Sequence, residues 1–149
     1  MTTKTKAIRA LNDELRQNFT TGTAVLTTGV AALGAEAVAR IVKTIAVYDD
    51  FCHANDPYEE HDFGVFEIDG HKLFFKIDYY DKSRILHSPD PSDPSVTERG
   101  ITIMLAEEYL TADPQLIAQC ESKGHLGRIW LMREERKKGK LNLAEGLSQ

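Results

Sequence analysis

The sequence predicts an α+β fold: a small antiparallel sheet, built on a central Asp-Gly hairpin plus one or two further strands and covered by N-terminal and C-terminal helices. Three observations predict it. Ile8, Leu11, Leu15 and Phe19 recur at helical spacing, Val38, Ile41, Val42 and Ile45 do the same, and Asp69-Gly70 divides two alternating apolar runs. A length of 149 residues with 42% apolar and 28% charged side chains fits one soluble domain rather than a disordered or membrane chain. Residues 1–110 are expected to form the α+β core, and residues 111–149 a helical extension with a basic tail packed on the same domain.

Taken in order, residues 4–18 form the first amphipathic helix, with Arg9, Asp13, Glu14 and Arg16 between its apolar positions. Thr21-Gly22 ends it, Thr23 to Thr28 is rich in β-branched residues and predicts a short strand, and Gly29 closes that strand. A second helix starts at Gly34, supported by the helix formers Ala35, Glu36, Ala37 and Ala39. Asn55-Asp56-Pro57 marks a loop, because the residue before a proline is pushed out of the helical region. Asp69-Gly70 then suits a two-residue type I′ turn, which needs positive φ at both positions. That turn sets Ile68 opposite His71, Phe66 opposite Leu73 and His61 opposite Asp78. Phe66, Ile68, Leu73, Phe75, Ile77 and Tyr79 fall on a core face, and His61, Glu67, Lys72, Lys76 and Asp78 on a face expected to be largely wet. Ser88 to Ser95 is too rich in proline to pair, Ile101 to Leu105 alternates as a third antiparallel strand, and Asp113-Pro114 starts a further helix.

Charge is unevenly spread. Between Asp49 and Glu98 there are 13 acids against 4 bases, a balance of -9, whereas Lys123 to Lys140 carries seven bases against two acids, or +5. Whole-surface nucleic-acid binding is disfavoured, since phosphate neutralisation needs a cationic face. The outward sheet positions, with two Lys among acids, do not make an RNA-reading platform. The start, Met1 to Lys6, lacks the apolar core of a signal peptide, and the expected location is the cytoplasm. Cys52 and Cys120 form neither a metal knuckle nor a disulfide framework and are expected to be reduced, buried or inert.

The stretches IRALNDELR (Ile8 to Arg16), TTGVAAL (Thr27 to Leu33), NDPYEEHDFG (Asn55 to Gly64), KIDYYD (Lys76 to Asp81) and ITIMLAEEY (Ile101 to Tyr109) resemble a family of short bacterial proteins defined as a domain of unknown function. NDPYEEHDFG and KIDYYD are its most specific motifs here. The resemblance implies a plasmid or mobile-element setting, and no catalytic role is carried over from it. The tail after Tyr109 lies outside it.

Two function classes follow. In the first, the protein is a non-enzymatic binding module that engages a basic, nucleic-acid-binding protein partner. Its acidic centre would supply the surface, with Asp56, Tyr58, Glu59, Glu60, Asp62, Asp78 and Asp81 as contact residues, and the mobile-element setting suggests counter-defence or regulation. Arg133, Arg136, Lys137 and Lys138 would add a weak phosphate or acidic-surface contact, or simply complement a helix C-terminus. In the second, the 55–64 loop and the 76–81 strand form a small hydrolytic site. Asn55, Asp56, His61 and Asp62 are the acid–base candidates, and His61, Asp78 and Glu60 the metal candidates should an ion be held. Neither a nucleophile elbow nor a known metal motif is present, so the balance leans away from an enzyme and no cofactor is expected.

Overall fold

The computed structural model describes residues 1–110, the side chains of Tyr109 and Leu110 excepted. In chain order the elements are α1 (Thr3–Asn18), β1 (Thr23–Leu26), α2 (Thr28–Ala31), α3 (Ala35–Ala46), β2 (Phe63–Ile68), β3 (His71–Tyr80), β4 (Glu98–Leu105) and α4 (Ala106–Leu110). The expected helix from Asp113, the basic run and Cys120 lie outside the described residues. No described helix is long and apolar enough to cross a membrane.

Among the described residues the fold is α+β with a four-stranded sheet in the order β1-β4-β3-β2. The hairpin register is the one the turn dictates. Ile68 pairs with His71 and Phe66 with Leu73, while Asp69 and Gly70 take φ of 52° and 81°, the left-handed pair a type I′ turn requires. β4 joins β3 antiparallel, but the sheet is mixed rather than wholly antiparallel, because β1 pairs with β4 in parallel from Thr23↔Gly100 to Leu26↔Ile103. Parallel partners need a long crossover, and here residues 27–97 supply it, carrying α3 and the whole hairpin.

α1 is capped by Thr2, whose hydroxyl accepts the Thr5 N–H at 3.1 Å, and ends where Phe19 turns left-handed at φ 59°. β1 stops at Leu26, earlier than the β-branched run suggests. Gly29 does not close it but lies in α2, where its N–H meets Glu108 Oε2 at 3.2 Å. Glu108 also accepts the Leu105 N–H at 2.9 Å, the returning half of a capping box that opens α4. α3 begins after Gly34 at φ 97°, a value that favours glycine. Ile8, Leu15, Ile41 and Ile45 from α1 and α3 cover the sheet face formed by Leu73, Phe75, Ile77, Tyr79, Ile101, Ile103 and Leu105.

The opposite face is not largely wet. Phe63, Phe74 and Met104 share it and are buried, Phe74 at 1% exposure, with the Phe63 and Phe74 rings 5.4 Å apart. Charge survives beside them by pairing: Lys76 Nζ lies 3.1 Å from Asp78 Oδ2 and both side chains are nearly buried. The proline-rich loop is ordered by a repeated local device. Asp90 accepts both the Ser92 N–H and hydroxyl, Asp93 does the same for Ser95, and Asp81 takes the Ser83 hydroxyl at 2.6 Å. These bonds, the serine hydroxyl foremost, hold the three carboxyls below their ordinary value.

Candidate functional site

The sequence-nominated loop closes over α1, and α1 supplies what the loop lacks. Along this helix Asn12 and Arg16 fall on the same stripe as Ile8 and Leu15, so two polar side chains enter the core. Each bonds to distant chain. Asn12 Nδ2 donates to the Glu60 carbonyl at 3.0 Å and to the Tyr79 hydroxyl at 2.8 Å, and its Oδ1 accepts from Arg99 Nε at 2.9 Å. The Tyr79 hydroxyl in turn donates to Glu60 Oε2 at 2.8 Å. Burial, reinforced by the charges of Asp62 and Glu60, pushes the Tyr79 hydroxyl well above its ordinary value, so it serves as a donor. Burial lowers Arg99, against the opposing pull of Tyr79 and Glu60. Arg99 also lies over the Tyr79 ring and donates to the Pro91 carbonyl.

Next to this network stands His61. It takes φ 56° and Glu59 φ 58°, two left-handed non-glycine residues in one short loop. The Asp56 carboxylate makes the turn possible by accepting both the Glu60 and His61 N–H groups, at 3.0 and 3.1 Å. His61 therefore leaves the hairpin and turns to α1 rather than standing opposite Asp78 on the sheet. Its Nδ1 meets Asp13 Oδ1 at 2.9 Å, its Nε2 lies 3.9 Å from Asp56 Oδ2, and its ring stacks on Phe51 at 3.9 Å with an interplanar angle of 4°. A carboxylate only accepts, so the Asp13 contact places a proton on Nδ1. Asp13 is itself held by Arg16, whose guanidinium donates to it at 2.7 Å and to the Ile45 and Tyr48 carbonyls.

These groups border an open pocket of about 310 Å³ lined by Arg9, Phe51, Cys52, His53, Asp56, Glu59 and His61. Cys52 is a free and exposed thiol, not a buried one. Arg9 comes from α1, and its Nε donates to the Glu59 carbonyl at 2.8 Å.

Of the acid–base candidates, Asp56 and His61 meet in this pocket. Asn55 lies beneath it as a brace, accepting the Cys52 N–H and donating to the Asp50 carbonyl. Asp62 is buried at 0% exposure in the core layer, its carbonyl accepting the Ile77 N–H. The metal candidates are not brought together: His61 faces Asp13, Asp78 faces Lys76 and Glu60 faces Tyr79. Among the described residues no group of three or more His, Cys, Asp or Glu side chains is arranged to hold a metal ion. The candidate acidic surface is broken for the same reason, since Asp56, Asp62 and Asp78 are buried, Glu60 is half-buried and Asp81 caps its own turn. Tyr58 and Glu59 alone of that set are exposed, at the loop tip.

Asp13, Arg16 and Arg9 escape sequence reasoning because the contacts that tie them to the loop and to α3 span 29 to 50 residues. Asn12 did carry a signal, a polar residue on an apolar helical stripe. No curated protein and no solved structure matches the chain. A family model described as protein of unknown function (DUF3768) matches residues 26–108, which take in both specific motifs but not α1. That match spans more than half of the sequence, and the chain belongs to this family of unknown function.

Proposed function

We propose that the pocket at His61 is the working site and that it performs general acid–base chemistry of the hydrolytic kind on a small polar substrate. The carrying observation is the fixed imidazole: Asp13 holds Nδ1 at 2.9 Å, Phe51 supports the ring, and His61 lines an open pocket. Imidazole is the side chain best suited to proton transfer near neutral pH. His61 Nε2 takes the proton of an attacking water and returns it to the leaving group. Asp13 keeps the tautomer and stabilises the imidazolium that forms between the two steps. Arg16, itself tied to two backbone carbonyls, fixes Asp13.

The test is hydrolysis of a panel of chromogenic carboxylic esters, phosphomonoesters and phosphodiesters by the purified protein. Turnover that His61→Gln abolishes and Asp13→Asn reduces by about 10²-fold or more, with unchanged melting, is the expected result. No turnover across the panel, or turnover indifferent to His61→Gln, refutes the reading.

A second reading is favoured by the exposure of Tyr58, 47%, beside Glu59 at the loop tip. This tip engages a basic protein partner, in keeping with a counter-defence or regulatory role on a mobile element. Binding of such a partner would then weaken with salt and with Glu59→Lys, independently of His61.

A further inference from the structure

The charge of Arg9, unlike that of Arg16, Lys76 or Arg40, is not met by a carboxylate among the described residues. Arg16 is paired with Asp13, Lys76 with Asp78, and Arg40 with Asp69. Among the described residues Arg9 makes no ion pair, and its guanidinium is anchored by a neutral group, the Glu59 carbonyl. The anchoring bond uses Nε, so the two terminal nitrogens, which carry four of the five N–H donors of a guanidinium, are left out of it. Nor do the carboxylates of the pocket offset this charge equally. Asp56 is buried, with one oxygen spent on two backbone N–H groups and the other facing His61. Arg9, His53 and His61 thus border the same pocket as an anchored cation and two imidazoles, together with the buried Asp56 and the exposed Glu59 carboxylates.

Resting on the acid–base reading of His61, we infer that the substrate of this pocket carries an oxyanion group, phosphoryl or carboxylate, bound by the Arg9 guanidinium beside the His61 imidazole. The planar fork of an arginine matches such a group in two parallel hydrogen bonds, and a guanidinium already fixed at Nε loses less freedom on binding it. Arg9 is then the residue that positions the substrate, and His61 the one that moves its proton.

The experiment titrates the full chain at constant ionic strength with inorganic phosphate and, in a separate arm, with acetate. It follows the melting temperature and the side-chain NMR signals of Arg9 and His61. Saturable binding that weakens at least tenfold in Arg9→Gln, and less in Arg9→Lys, is the expected result, and the stronger arm identifies the oxyanion. No saturable response to either anion, or equal binding by the wild-type chain and Arg9→Gln, overturns the inference. The two proposals fail separately. Anion binding that depends on Arg9 without hydrolysis of any substrate refutes the acid–base reading alone. Hydrolysis that needs His61 but is unchanged in Arg9→Gln, for charged and neutral substrates alike, refutes the oxyanion inference alone.

Discussion

Replacing Asn12 by Ala removes a side chain that joins α1, the pocket loop, β3 and β4. Asn12 is at 0% exposure and makes three hydrogen bonds, to the Glu60 carbonyl, to the Tyr79 hydroxyl and from Arg99 Nε. The Tyr79 hydroxyl keeps its donor bond to Glu60 Oε2, so its loss is small. The Glu60 carbonyl loses a neutral bond, about 1 kcal/mol, and the buried Arg99 loses a charge-assisted one, about 1.5–3 kcal/mol. The expected destabilisation is therefore about 3 kcal/mol. With a urea m-value of about 1.5 kcal/mol/M, the unfolding midpoint should fall by about 2 M. Asn12→Asp provides the internal control, because it keeps the acceptor for Arg99 but turns the donor into a second acceptor facing Glu60. It should be destabilised at neutral pH and recover part of the loss in acid, where a protonated carboxyl donates again. A midpoint shift under about 0.5 M for Asn12→Ala, with m unchanged, would refute the argument that this side chain ties the elements together.

Two further outcomes follow from the packing. At Gly64 an added Cβ would stand 2.3 Å from the Phe75 Cε1 and 2.7 Å from the Tyr48 Cε1, and both rings are packed in the core, so Gly64→Ala should cost about 1–3 kcal/mol, read as a melting temperature lowered by about 5 °C or more. At Glu108, burial raises the carboxyl, but the bonds from the Thr27 hydroxyl, the Leu105 N–H and the Gly29 N–H outweigh it and hold the group below its ordinary 4.5. A depressed folded value means stability that is fully present above 4.5 and is lost as pH falls through the folded value. Urea midpoints for Glu108→Gln should accordingly lie below wild type at pH 7 and converge with it in strong acid. A gap that stays constant with pH would show that these bonds do not depend on the charge.

Local signals were legible and long-range ones were not. Asp69-Gly70 fixes the hairpin register because a type I′ turn leaves a single pairing, and α3 is readable from its own apolar spacing. The second sheet face misleads because its charges are conspicuous in sequence, whereas the mutual pairing of Lys76 with Asp78, which lets them lie beside buried Phe74, exists only in three dimensions. In the candidate site, Asp56 and His61 stand in a turn-rich loop and draw attention. Asp13 looks like an ordinary polar residue of an amphipathic helix, although it fixes the imidazole across 48 residues of chain. The loop at Ser88 to Ser95 is legible as a loop, but its Asp-Pro-Ser repeats are also its internal staples, since each Asp accepts from the Ser two residues on.

The parallel pairing of β1 with β4 imposes an order on biosynthesis. Thr23 meets Gly100, so the partner of β1 lies 100 - 23 = 77 residues further along the chain. The hairpin closes over a two-residue turn and can form within about 10 μs of leaving the ribosome, but β1 has no strand to join until β4 is made. At synthesis rates of about 5–20 residues per second, that interval lasts about 4–15 s. Val25 and Leu26 are exposed even in the finished fold, and they spend those seconds on an unpaired segment. Among the described strands the earliest to be translated is thus the last to find its partner, and meanwhile it is open to a chaperone or to a neighbouring chain.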